Sequence, residues 1–113
     1  MAQQQPGERD LATRIATANI TASSQSAGPV EFEGPFLIMA TGGVGTFELQ
    51  FSVDAGANWF NANLPGGGAN SWTAPFNQVV ENAMTEAGIL FRLTCTAYTS
   101  GPIAARLSGG GRP

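Results

Sequence analysis

The chain contains no histidine and no lysine, a single cysteine, and a charged fraction of only 12%. Each shortage removes a class of chemistry. Without lysine there is no Walker-type phosphate loop, no Schiff-base nucleophile and no kinase-type phosphate lysine. Without histidine the usual general base and the commonest metal ligand are missing. Cys95 stands alone, so an intramolecular disulfide is excluded, and its alternation with Phe91 and Leu93 marks it as core filler. The five basic side chains are all arginine and form no run, and the net charge is −3, so the electrostatic footprint of a nucleic-acid binder is missing. No apolar run approaches the roughly 18 residues of a membrane span. The N-terminal MAQQQPGERD carries no apolar signal core, so the expectation is synthesis in the cytoplasm with no membrane partner.

The eight acids, Glu8, Asp10, Glu31, Glu33, Glu48, Asp54, Glu81 and Glu86, are scattered over the chain. Two carboxylates suffice for a glycosidase, but no spacing here selects a pair. No catalytic residue, metal ligand or cofactor is therefore expected. Charge well below the usual share of roughly 25% leaves a surface built largely of neutral polar and small residues, which favours a protein packed against others.

A chain of 113 residues is one domain by length and is able to bury a core without staples. Its longest ordered pattern runs from Glu86 to Ser108. Ile89, Phe91, Leu93, Cys95 and Ala97 fall on one face, and Leu90, Arg92, Thr94, Thr96 and Tyr98 on the other. That period of two predicts a strand, and Thr99-Ser100-Gly101-Pro102 predicts a turn into a returning strand at Ile103 to Leu107, a hairpin. Thr46 to Val53 alternates in the same way, with Phe47, Leu49, Phe51 and Val53 inward and Glu48, Gln50 and Ser52 outward. Arg14 to Ser23 reads as a first strand, Val30 to Glu33 and Pro35 to Ala40 as a strand interrupted at Gly34-Pro35, Asn58 to Asn63 is short and aromatic, and Ser71 to Thr73 and Gln78 to Asn82 are weaker strand candidates. The segment PFLIMA at 35 to 40 is apolar on both faces, as expected where one side meets the core and the other meets something else. The triple glycine at 66 to 68 reads as a loop, and 83 to 87 as a single helical or 3₁₀ turn. Seven or eight short strands and no long helix predict an all-β antiparallel β-sandwich, jelly-roll or immunoglobulin-like, over residues 14–108.

Residues 1–13 are expected to be a flexible N-terminal arm, too polar to order alone, and 109–113 a flexible tail. Gln3, Gln4, Gln5, Glu8, Arg9, Asp10 and Arg14 are its candidate partner-binding residues. Of the aromatics, Trp72 and Tyr98 are the candidates for an exposed, sugar-stacking pair, although most aromatics in so small a sandwich belong to the core.

One motif carries its own mechanism. Ser52, Asp54, Gly56 and Trp59 fit S-x-D-x-G-x-x-W, which resembles the Asp-box hairpin of sialidases and other β proteins, where the box is structural. Asp54 is placed to accept bonds from the turn's amides, Gly56 to take positive φ, and Trp59 to fold over the turn. A calcium site on Asp54 and Asn58 lacks the further carboxylates that ion needs.

FELQFSVDAGANW at 47 to 59 and EAGILFRLTCTAYTSGPIAARLS at 86 to 108 together resemble small β-sandwich virion proteins of tailed bacteriophages. The likeness rests on the D-x-G-x-x-W turn, on Gly88, Phe91, Arg92 and Leu93 in a G-x-x-[YF]-R-L strand, and on Ser100, Gly101, Arg106, Leu107 and Ser108 at the close. It covers roughly the C-terminal two thirds, not the arm or PFLIMA. The resemblance implies a non-enzymatic virion structural protein, first of all a capsid decoration or cement protein. Its partners would be the major capsid protein or other virion proteins, with self-association. A tail, neck or fibre component and a receptor- or glycan-binding module are the alternatives.

Overall fold

The computed structural model describes residues 13–32, 34–62, 71–81 and 88–110. Most of the expected arm, the glycine loop at 64–69 and the short turn at 83–87 lie outside them. Among the described residues the chain is all β: β1 (Thr13–Ile20), β2 (Ser26–Glu31), β3 (Phe36–Thr41), β4 (Val44–Ser52), β5 (Phe60–Asn61), β6 (Ser71–Thr73), β7 (Phe76–Val80), β8 (Leu90–Ser100) and β9 (Ile103–Gly110).

The strands form two antiparallel sheets. One has four strands in the order β1-β9-β3-β7, and the other has β2-β8-β4, with β5 and β6 both pairing with β4. Chain and sheets interleave: β1, β3, β7 and β9 belong to the four-stranded sheet, and the strands between them to the five-stranded one. The sheets pack face to face because each presents one apolar face. Ile20, Ile38, Ala40, Ile103, Ala105 and Leu107 meet Phe47, Leu49, Phe91, Leu93 and Cys95, all buried. Side chains of this size contribute about 1.5–3 kcal/mol each on burial. At one end Phe32 stacks on Phe36 with centroids 4.4 Å apart, and Phe36 meets Phe91 at 4.7 Å.

The segment expected to be a hairpin is not one. β8 is the longest strand and β9 follows it closely, but β8 lies in the five-stranded sheet and β9 pairs with β1 and β3 in the other. Alternation fixes which face of a strand is buried and says nothing of which strand lies beside it. Both strands carry an apolar face, and facing each other across the core buries both: Ile103 reaches over to Gly45 of β4, where an added Cβ would sit 3.0 Å from Ile103 Cδ1 and 3.6 Å from Cys95 Sγ. The returning strand also continues to Gly110, past the expected boundary at Ser108, with Gly109 opposite Arg14.

The alternation of β8 breaks where its pairing does, and the end of β4 departs from the expected burial. In β8 one extra residue enters at Thr96 and another at Thr99 relative to β4, so Ala97 turns outward and Tyr98 packs half-buried against the core. In β4 the expected inward run holds through Phe51, which packs half-buried against the core, and fails at Val53, which is exposed; Ser52, expected outward, faces outward but is fully buried. Ser52 keeps its outward face, in register with Leu90 beside the Gln50–Arg92 pair, and is buried there because the turn that follows folds over its hydroxyl.

Candidate functional site

The turn after β4 is built by three side chains. Ser52 Oγ donates to Asp54 Oδ1 at 2.7 Å and accepts from the N–H groups of Asp54 (3.3 Å) and Gly56 (2.9 Å). Asp54 accepts from the Asn58 N–H at 2.9 Å and from Asn58 Nδ2 at 2.7 Å. These bonds all favour the carboxylate, with the Asn58 side chain foremost and Ser52 next, and hold the Asp54 pKa down to about 2. Gly56 takes φ 93°, and Trp59 folds back so that its ring edge lies 3.8 Å from where a Gly56 Cβ would be. Both Asp54 oxygens are thus engaged within the turn.

The same turn caps the outer face of the five-stranded sheet. Arg92 lies 4.2 Å over the Trp59 ring and donates from Nε to Gln50 Oε1 at 2.8 Å. Gln50 Oε1 also accepts from Thr94 Oγ1 at 3.2 Å, Thr94 and Ser26 share a hydroxyl bond of 2.9 Å, and Gln50 Nε2 reaches Asn61 Oδ1 at 3.5 Å. Side chains from β2, β8, β4 and β5 therefore satisfy one another along a polar ladder across that face.

The outer face of the four-stranded sheet is built differently. Outward positions line up in rows across all four strands: Ile15, Ser108, Leu37 and Val79 in one, Thr17, Arg106, Met39 and Asn77 in the next. Ile15 and Val79 are about half exposed, at 51% and 54%. Ala104, opposite both Asn19 and Thr41, leaves a depression, and an open groove of about 550 Å³ runs past Thr17, Asn19, Met39, Thr41 and Arg106. Arg106 is the only charged side chain in these rows and makes no hydrogen bond or ion pair with a described residue. This face was half legible in PFLIMA, whose Phe36, Ile38 and Ala40 are buried while Leu37 and Met39 look outward.

The other expected site residues are dispersed. Gln3, Gln4, Gln5, Glu8, Arg9 and Asp10 lie outside the described residues. Arg14 sits in β1 and crosses to β2, with Nη1 3.7 Å from Glu31 Oε1 and 3.5 Å from the Glu31 carbonyl. Trp72 and Tyr98 do not form an exposed pair: both are half-buried against the core, and Trp72 stacks on Phe76 with centroids 5.7 Å apart. Among the described residues the exposed aromatic is Phe60, at 53%.

Among the described residues no cluster of three or more acids or cysteine forms a metal site, and no helix is long and apolar enough to cross a membrane. Compared with family models, curated proteins and solved structures, the chain matches none.

Proposed function

We propose that this chain is a non-enzymatic structural protein of a tailed-phage virion, made in the host cytoplasm, whose sandwich is a jelly roll and which decorates and stabilises the head shell. The observation that carries the reading is the strand order, β1-β9-β3-β7 against β2-β8-β4-β5, with the chain passing from sheet to sheet. Two interlocked Greek keys of this kind recur in viral capsid domains. Fold alone assigns no function, so the docking surface matters as much. The groove and apolar row beside Arg106, which has no partner among the described residues, make the outer face of the four-stranded sheet the surface a capsid subunit would cover, its carboxylate meeting the guanidinium. The arm at residues 1–13 would strap across a subunit boundary, ordering as it docks.

The test is the copy number of the protein in purified virions relative to the major capsid protein, by quantitative mass spectrometry. A ratio of the same order as the capsid subunit is expected. A ratio far below it would move the protein to the tail, neck or a vertex, and absence would overturn the virion role.

A further inference from the structure

Four of the five sheet-border strands carry a device that blocks pairing with another chain. β2 contains Pro29 and a bulge between Ala27 and Val30, β5 and β6 are two and three residues long, and β7 is five residues long with Pro75 just before it. Short length, proline and bulges are the usual protections of a border. β1 has none of them. It runs eight residues, TRIATANI, in unbroken register with β9 on one side, and no described strand pairs with its other side.

We propose that β1 pairs antiparallel with β1 of a second copy, joining two four-stranded sheets into one of eight strands about a two-fold axis. A second copy fits better than a foreign peptide because the strand is complementary to itself. Outer faces coincide only when odd positions meet odd and even meet even, which allows a two-fold at Ala16 or at Thr17. With the axis at Ala16, Thr13 faces Asn19 of the second copy and Ile15 faces its Thr17. With the axis at Thr17, Ile15 faces Asn19 and Ala16 faces Ala18. Both registers bring small or neutral side chains together and cover the half-exposed Ile15. The one charge, Arg14, is already tied to Glu31, and its twin lies at least about 13 Å along the strand at ~3.3 Å per residue. Along the inward side β1 presents Ala16 and Ala18, which form no pocket to read a foreign side chain. The inference is independent of the virion role.

Light scattering on a sizing column, over rising concentration, reads the outcome. The wild-type chain is expected to be a dimer. Thr17→Glu places a carboxylate opposite Arg106 within its own sheet, favouring the monomer's fold, while two such carboxylates crowd at the two-fold; the dimer dissociation constant should rise at least about tenfold. Val79→Glu, on the border strand at the far side of the same sheet, should leave the dimer intact. Because Cys95 is buried, Ala16→Cys and Thr17→Cys report contact directly, each facing its own twin in one of the two registers, and mild oxidation should yield a disulfide-linked dimer for at least one of them. A monomeric wild type, a dimer indifferent to Thr17→Glu, or no cross-link at either cysteine would overturn the proposal, and the cross-link decides even if Thr17→Glu fails to fold.

Discussion

At the scale of single residues, the strongest local order lies in the turn after β4, and Ser52 is its hub. Its hydroxyl is fully buried and makes three bonds, one donated and two accepted. Removing it leaves two amides and a carboxylate oxygen short of a partner, so Ser52→Ala should cost about 1–2 kcal/mol in chemical denaturation. Asp54 adds a pH signature. Its pKa in the fold is held at about 2 against an ordinary 3.8, so the carboxylate stabilises the fold above the ordinary value, and that contribution fades as pH falls through the folded one. Asp54→Ala should therefore melt lower than wild type at pH 7, with the gap closing between pH 4 and pH 2. A gap constant with pH would mean that the charge of Asp54 has no part in the turn. The spacing of Ser52, Asp54, Gly56 and Trp59 made this turn legible in advance. The burial of Ser52 was not, because alternation sends it to the outer face, where it is, and takes no account of a turn that folds back over that face and covers the hydroxyl.

At the scale of elements, strands were easier to read than their neighbours. The face assignments of β8 up to Cys95 and of β4 up to Phe51 follow from a period of two, since the apolar face of a strand must be buried wherever it pairs. Whether β9 lies beside β8 or across from it depends on long-range packing, which a two-residue link such as Gly101-Pro102 does not encode. Bulges were illegible for the same reason: an inserted residue appears only once the partner strand is known. The bulge in β2 has a checkable basis. Gly28 holds φ 106° there, and an added Cβ would stand 2.8 Å from the Phe91 carbonyl oxygen of β8. Gly28→Ala thus meets both a backbone penalty and a clash with a strand that cannot yield, and should destabilise by about 1–3 kcal/mol. Urea unfolding measures it, and an unchanged midpoint would show that β2 is free to shift its register.

At the scale of the molecule, two sheets of similar build turn unlike faces outward, and two arginines mark the contrast. Arg92 is satisfied within the fold by Gln50 and the Trp59 ring, whereas Arg106 faces outward among Thr17, Met39 and Asn77 with no described partner. In the sequence the two are equivalent, each an arginine within a strand pattern, and only the arrangement of neighbours tells them apart. Opposite consequences follow. Arg92→Ala loses a charged hydrogen bond and a ring contact on the satisfied face, so it should cost about 1–2 kcal/mol of stability and leave docking to the shell unchanged. Arg106→Glu removes no bond to a described residue, so melting should stay within error of wild type, while reversing the charge at the proposed docking face should weaken binding to the proposed shell partner at least tenfold, about 1.4 kcal/mol or more. Both variants can be measured on expanded, undecorated heads by co-sedimentation, with melting followed in parallel. If Arg92→Ala abolished docking and Arg106→Glu did not, the docking face would belong to the five-stranded sheet, and the ladder from Ser26 to Asn61 would be a binding surface instead of a brace.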